Sequence, residues 1–400
     1  MEPTKIRLLA ADGGWWGLLP GGAAWLPSSA VSSASLTVDA RDELASLGLM
    51  TPPKSNYYGA TVLTSTSCNL GCPYCFQNIG AADSGRFDPP RIEKFVLSTE
   101  KVDRTAAFIL SQMENLGYDR LRLLLFGGEP LLNPKACLSL LRRFEHQVEE
   151  LDADMVTNGV LLKPALAEQL SDAGLKSAQI TLDGNKEIHD KTRATRAGRP
   201  TFDKIMSNIR AAQTNAGMRF GVRVNVTTET ISTLMPLVHY LADSIDPDSI
   251  TLDFAVIRDY DWNSSNAFEG DPVGCADAMI SALSFARSVG FNVAAPRGFD
   301  CIYCGDPAGA SGAVISADGN LYSCWETAGR PGYEVGHIDR GYDDYPSERW
   351  LSCHEFGGDN GENQFGRRLA DEYEARLMGL LHNDPAPEVT STNTRSAMSR

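Results

Sequence analysis

The sequence predicts an α/β protein built around a parallel sheet, and two observations carry that reading. Between residues 58 and 290, six strand-like runs alternate with amphipathic helical stretches, the pattern of strands joined by helical crossovers. The loops after the first four runs carry cysteine, glycine and carboxylate residues, and in such sheets a ligand site lies at the C-terminal ends of the strands. Alternation alone leaves a doubly wound sheet and a barrel both open.

Taken in order, residues 1–57 form an N-terminal wing. "KIRLLAA" and "AAWLP" read as short strands around Gly-rich turns, and "VDARDELASLGLM" as a short helix ending near Gly48. Trp15 and Trp16, inside "GGWWGLLPGG", are expected to serve core packing more than peptide contact, although an edge of the wing offers room for strand addition by a peptide. The six runs of residues 58–290 are "ATVLTST", "LRLLLF", "ADMVTN", "SAQITLD", "FGVRVNVT" and "ITLDFAV". "RTAAFILSQMENLG", "ACLSLLRRFEHQVEEL" and "TFDKIMSNIRAAQTNAG" are among the helices between them. Over residues 291–360 the helical rhythm stops; there "AVISADGNLYSC" reads as a hairpin that delivers Cys324 beside Cys301 and Cys304. Residues 361–383 close the fold with a helix, and 384–400 are too polar to pack and are expected to be disordered.

The 400 residues carry a net charge of −15, which speaks against a general nucleic-acid binder, since a phosphate footprint needs clustered Lys and Arg. No run approaches the roughly 20 apolar residues of a membrane span, and the N-terminus lacks a signal-peptide pattern. A cytoplasmic location is the expectation, and there nine cysteines point to metal or redox chemistry more than to disulfides.

Cys68, Cys72 and Cys75 follow the first strand in "TSCNLGCPYCFQN". Three cysteines leave one over from a disulfide, and a closed zinc site wants a fourth local ligand that the loop lacks. Thiolates are the usual ligands of iron–sulfur clusters, and three on a cubane leave one iron open. Gly71 and Pro73 allow a tight loop around such a group.

This loop resembles the signature of the radical S-adenosylmethionine (SAM) enzymes, with Tyr74 as the aromatic before the last cysteine. The resemblance implies a partial (β/α)6 barrel, a [4Fe–4S] cluster on the three cysteines, and SAM on its open iron. It also implies a 5′-deoxyadenosyl radical and an external electron donor such as a flavodoxin or ferredoxin. "FGGEP" resembles the glycine-rich motif that engages the SAM amino group, which assigns Gly127, Gly128 and Glu129 to it. "TNG", Thr157 to Gly159, reads as no more than a strand end. "QITLDGNKEIHDKTRATRAGRPTFDKI" resembles the pattern of anaerobic sulfatase-maturing and related peptide-modifying enzymes. By that likeness Thr181 and Asp183 lie near the SAM ribose and carboxylate, Arg193 neutralises the carboxylate and Asn225 contacts ribose; His189 is expected to be structural.

Four late cysteines, Cys301, Cys304, Cys324 and Cys353, suit a tetrahedral zinc site or a cluster equally by residue type. They resemble the C-terminal extension called SPASM, or its shortened twitch form, and that likeness favours one auxiliary [4Fe–4S] cluster. Cys137 and Cys275 read as structural. Asp253 is the first candidate for an acid or base, with Asp306, Asp318 and Tyr303 behind it. The function implied is a maturase that installs a thioether, C–C or C–O cross-link in a ribosomally made precursor peptide. A radical SAM enzyme of a small metabolite, a formylglycine-forming maturase and a non-catalytic zinc module are the alternatives.

Overall fold

A computed structural model describes residues 6–51, 55–75, 77, 92–257, 270–296, 309–344, 350 and 364–383. The wing contains β1 (Arg7–Ala11), β2 (Gly14–Leu19), β3 (Gly22–Pro27), β4 (Val31–Ser32), β5 (Ser35–Leu36) and α1 (Val38–Ser46). The centre runs β6 (Tyr57–Ser65), α2 (Thr99–Leu116), β7 (Arg120–Gly127), α3 (Pro134–Glu145), β8 (Glu150–Thr157), α4 (Pro164–Asp172) and β9 (Leu175–Leu182). It continues through α5 (Lys186–Thr192), α6 (Phe202–Ala216), β10 (Arg219–Val226), α7 (Thr228–Ile231), α8 (Leu234–Ser244), β11 (Ile250–Val256), α9 (Pro272–Ser288) and β12 (Asn292–Val293). Last come β13 (Gly312–Ile315), β14 (Asn320–Tyr322), β15 (Glu334–His337), β16 (Gly341–Tyr342) and α10 (Gln364–Asn383).

All six expected strands form. β6 to β11 lie side by side in chain order, every pair parallel. β6 pairs on its other edge with β13, and β11 with β12. The two ends of the six-stranded unit therefore never meet, and the barrel stays open. Period-two alternation sorts the side chains. Ile180, Leu182, Val222, Val224, Leu252 and Phe254 pack into the main core, while Thr181, Asp183, Arg223, Asn225 and Asp253 occupy the opposite face. Helix ends obey local chemistry: Ser98 caps α2 by accepting the Lys101 N–H at 3.2 Å, and Gly117 ends it at φ 76°.

Three readings of the sequence need correction. The run "GGWWGLLPGG" is more than a turn, because β2 passes through it and buries both faces: Trp16 and Leu18 pack on Ala375 and Met378 of α10, while Trp15 and Leu19 face the wing's own core. α3 stops at Glu145 instead of running to Leu151, because Glu150 and Leu151 are drawn into β8 by pairing with Arg120 and Leu121. The C-terminal hairpin forms as β13–β14, but it extends the main sheet by parallel pairing of β13 with β6, which covers an edge that would otherwise expose unpaired backbone. Cys301, Cys304 and Cys353 lie outside the described residues, as does the tail 384–400.

Asp154 of β8 is a buried carboxyl that accepts from Ser177 on one oxygen and has no hydrogen-bond partner on the other. Burial pushes it from 3.8 up to about 6. The folded protein therefore holds this proton to higher pH than the unfolded chain does, so the stability it contributes is full below pH 3.8 and lost as pH rises through 6. Asp154→Asn should stabilise the fold by about 2–3 kcal/mol at neutral pH and by much less near pH 4. Chemical unfolding of both proteins at the two pH values reads this directly.

Candidate functional site

β6 delivers the chain to the cysteine loop at Ser65, and β7 delivers the glycine loop beside it. Gly127 has φ 142°, and a Cβ built there lies 2.1 Å from the Ser65 carbonyl oxygen, a distance only glycine avoids. The Gly128 N–H then donates to that oxygen at 2.9 Å, and the Glu129 N–H to the Ser67 oxygen at 2.8 Å. The glycine loop is thus zipped by its main chain to the residues that lead into Cys68. Glu129 is fully buried. Its carboxylate accepts from the Thr157 hydroxyl at 2.7 Å, the Asn158 N–H at 2.7 Å and the Leu131 N–H at 2.9 Å. Burial raises its pKa, and these donors oppose the rise.

The other side of the cysteine loop is held by residues 194–196. Gly71 N–H donates to the Ala194 oxygen at 3.1 Å, Arg196 N–H to the Asn69 oxygen at 3.1 Å, and Arg196 Nε to the Cys68 oxygen at 2.9 Å. The Cys68 sulfur accepts from the Leu70 N–H at 3.4 Å and from Asn158 Nδ2 at 3.8 Å. Burial pushes the Cys68 thiol up to about 12 and raises Cys72 as well. Thiols so placed ionise when a positive metal centre takes the thiolate.

Tyr74, Asp183, Arg193 and Asn225, expected separately to serve one ligand, meet at the Tyr74 hydroxyl. It donates to Asp183 and accepts from Arg193 Nη1 at 2.6 Å and Asn225 Nδ2 at 3.2 Å. Burial raises the phenol's pKa well above its ordinary value in spite of Arg193, so Tyr74 keeps the proton it donates. Asp183 also accepts from the Thr192 hydroxyl at 3.0 Å and from Asn225 at 3.3 Å. Arg193 Nε is buried without a hydrogen-bond partner. His189 braces this group from beneath: its Nδ1 accepts the Asp183 N–H at 3.3 Å, and its Nε2 lies 3.1 Å from the Thr201 hydroxyl. That hydroxyl donates to the Arg193 carbonyl at 2.8 Å, which assigns the proton to Nε2. Burial, aided by Arg193, pushes His189 down to about 3 and keeps it neutral. Thr181 sits one register step below Asp183, nearly buried.

Asp253 is not gathered into this group. It lies mid-strand in β11, where Arg223 donates to one of its oxygens through Nε at 3.0 Å and Nη2 at 2.6 Å. Asp318 serves the β13–β14 turn, accepting from the Asn320 N–H at 3.1 Å; Asp306 and Tyr303 lie outside the described residues. Cys324 is buried past the end of β14, beside Trp325, whose ring stacks on Phe126 with centroids 5.8 Å apart. Cys137 is buried in α3 against the main core. The residues that sequence reasoning missed are Asn158, Thr192 and Arg196. The "TNG" after the third strand was the one signal for Asn158; the other two depend on contacts across more than a hundred residues or on helix phase.

Three variants test this geometry. Gly127→Ala should separate the glycine loop from Ser65, cost about 3 kcal/mol or more and abolish iron retention. Gly379→Ala in α10, where a Cβ meets nothing within 4 Å, should leave both stability and iron content intact. Tyr74→Phe should cost about 1–3 kcal/mol by stripping a buried partner from Asp183 and Arg193, read as a fall in the thermal midpoint.

Residues 62–241 match the Radical SAM superfamily. A GTP 3′,8-cyclase of Thermodesulfovibrio yellowstonii is 37% identical over 160 residues, 40% of this chain and 44% of that protein. A serine-type anaerobic sulfatase-maturating enzyme of Bacteroides thetaiotaomicron is 27% identical over 146 residues, 36% of this chain and 33% of its own length. The chain thus spans under half the length of these curated relatives. The structure of anSMEcpe with bound AdoMet and a peptide shares the fold at TM-score 0.57 and 16% identity, over 81% of this chain and 99% of that one. A [4Fe–4S] cluster and SAM are the cofactors of the superfamily, and the residues present suit them. Three free thiols share one loop without a fourth, two of them raised by burial, and the unpartnered Arg193 Nε is a buried donor left for an anion. With that loop on the rim of an open parallel barrel, residues 62–241 carry a Radical SAM domain.

Proposed function

We propose that the protein is a peptide maturase that removes hydrogen from a side chain of a ribosomally made precursor and joins that carbon to a second side chain. The observation that carries this reading is the C-terminal extension. β13 and β14 prolong the sheet past β6, and Trp325, next to the buried Cys324, stacks on Phe126 at the head of the glycine loop. A second redox group, assigned in this reading to Cys301, Cys304, Cys324 and Cys353, would draw on Cys324 beside this contact. The fold correspondence with peptide-bound anSMEcpe, which runs the length of that chain, supports a peptide substrate.

In this reading Cys68, Cys72 and Cys75 hold the first cluster, which when bound supplies the electron that cleaves SAM to methionine and a 5′-deoxyadenosyl radical. The Gly127–Gly128 main chain would hold the SAM amino group, and Glu129 fixes that loop with a carboxylate already shared among Thr157, Asn158 and Leu131. Arg193, with its spare Nε, would pair with the SAM carboxylate, with Thr181 on the same face of the sheet, and Asn225 and Asp183 would hold the ribose. Hydrogen abstraction leaves a substrate carbon radical and 5′-deoxyadenosine. Bond formation with an S–H, C–H or O–H partner then releases one proton and one electron. Asp253, paired with Arg223, would take the proton, and an auxiliary cluster would take the electron. An outside flavodoxin or ferredoxin supplies the first electron.

A small-molecule reading is favoured by the GTP 3′,8-cyclase relative. The two separate in one anaerobic assay with SAM and dithionite, using a precursor peptide encoded beside the gene, or GTP. The maturase reading expects 5′-deoxyadenosine only with the peptide, which loses a pair of hydrogens; turnover with GTP and none with peptide would establish the other. Iron analysis tests the cofactor count: about eight irons per chain should fall to about four when Cys68, Cys72 and Cys75 are all Ala. About four falling to near none would remove the auxiliary cluster from the proposal.

A further inference from the structure

Asn158, in the loop after β8, is nearly buried, and its N–H and both polar atoms of its side chain are directed. Its N–H donates to Glu129 Oε2 at 2.7 Å. Its Oδ1 accepts the Val160 N–H at 3.1 Å, and this settles which way the amide faces, since the reverse orientation would set two donors against each other. Nδ2 therefore points at the cysteine loop. One of its protons goes to Asn69 Oδ1 at 2.8 Å, and the Cys68 sulfur, at 3.8 Å, is the acceptor for the other.

We propose that Asn158 is a positioning residue for the cluster: its side-chain amide donates an N–H···S hydrogen bond to the Cys68 thiolate and raises the cluster's reduction potential. The inference rests on the cluster being held by Cys68, Cys72 and Cys75. A donor to a ligating sulfur draws charge from it and favours the more negative, reduced state, so hydrogen bonds to sulfur move the potential upward. Glu129 is the strut of the arrangement. One oxygen takes the Thr157 hydroxyl and the other the Asn158 N–H, so the loop that receives the SAM amino group and the donor that faces Cys68 are set by a single carboxylate. The Leu70 N–H, 3.4 Å from the same sulfur, is a main-chain donor that no side-chain substitution removes, so the effect of Asn158 can be measured above it.

The test is an EPR-monitored redox titration, without SAM, of reconstituted wild type, Asn158→Asp and Asn158→Ala. Asn158→Asp keeps the size and the acceptor for Val160 but replaces the donor by an oxygen, so its potential should fall furthest. Asn158→Ala should fall in the same direction by less, both with wild-type iron content. Potentials equal to wild type in iron-replete variants would overturn the proposal. If the variants hold no iron, the decisive measurement is pulsed EPR on the reduced cluster of protein labelled with side-chain 15N asparagine. It is made in an Asn69→Asp background, which keeps the acceptor for Asn158 and removes the neighbouring side-chain nitrogen. A 15N coupling supports the N–H···S bond, and its absence refutes it. Wild-type protein that takes up no iron would instead defeat the cluster assignment itself, and this inference with it.

Discussion

The approach of two backbones, Ser65–Ser67 to Gly127–Glu129, is the constraint on which the site depends. Neighbouring parallel strands lie about 4.8 Å apart, and loops leaving their ends ordinarily diverge. Here they stay joined, because Gly127 lets the second chain pass close to the Ser65 carbonyl and two N–H groups then bond across the gap. The cysteine loop and the glycine loop form one surface as a result. A methyl group at residue 127 is enough to part them, and nothing downstream compensates, since Glu129 and through it Asn158 hang from the same turn.

Burial of charge is the second organising cost. Asp183, Arg193 and Glu129 are all removed from water at the rim, which is unfavourable unless each is bonded. Asp183 and Arg193 are reconciled through the Tyr74 hydroxyl, which accepts a hydrogen bond from the cation and donates one to the carboxylate. Because Tyr74 lies between Cys72 and Cys75, the same bonds that satisfy the charges also fix the cysteine loop. His189 acts at one remove, holding the Asp183 main chain and, by way of Thr201, the Arg193 carbonyl. Burial has made it a neutral strut, unsuited to proton transfer near neutral pH.

The peripheral parts flank the open barrel on two sides. On the β6 side the C-terminal strands continue the sheet, and α2 is tied to them by Lys101 donating to the Asp318 carbonyl at 2.8 Å and by the Arg104–Asp339 pair. On the β11 side α10 packs along α9 and carries the wing, through the shared core of Leu9, Trp16 and Leu18 with Ala375 and through Arg7 with Asp371 and Glu374. Wing and closing helix, at opposite ends of the chain, thus form one structural unit.

By itself the sequence determined the alternating parallel sheet, the rim on which the special loops lie and the chemistry of the three-cysteine loop, since each is written in local periodicity and spacing. It also marked Tyr74, Glu129, Asp183, Arg193 and Asn225 as residues of one ligand's surroundings, by resemblance and not by contact. Only the tertiary structure decided that four of these meet at one hydroxyl, that Glu129 spends its carboxylate on the loop after β8, and that Asn158 faces Cys68. It alone seated Asp253 on Arg223, drew Glu150 and Leu151 out of a helix and joined the C-terminal hairpin to β6. The physical reason is the same in each case. Periodicity and turn chemistry act over a few residues, whereas hydrogen-bond partners of a buried group are chosen among whatever the fold brings within 3 Å or so, here from strands tens of residues apart.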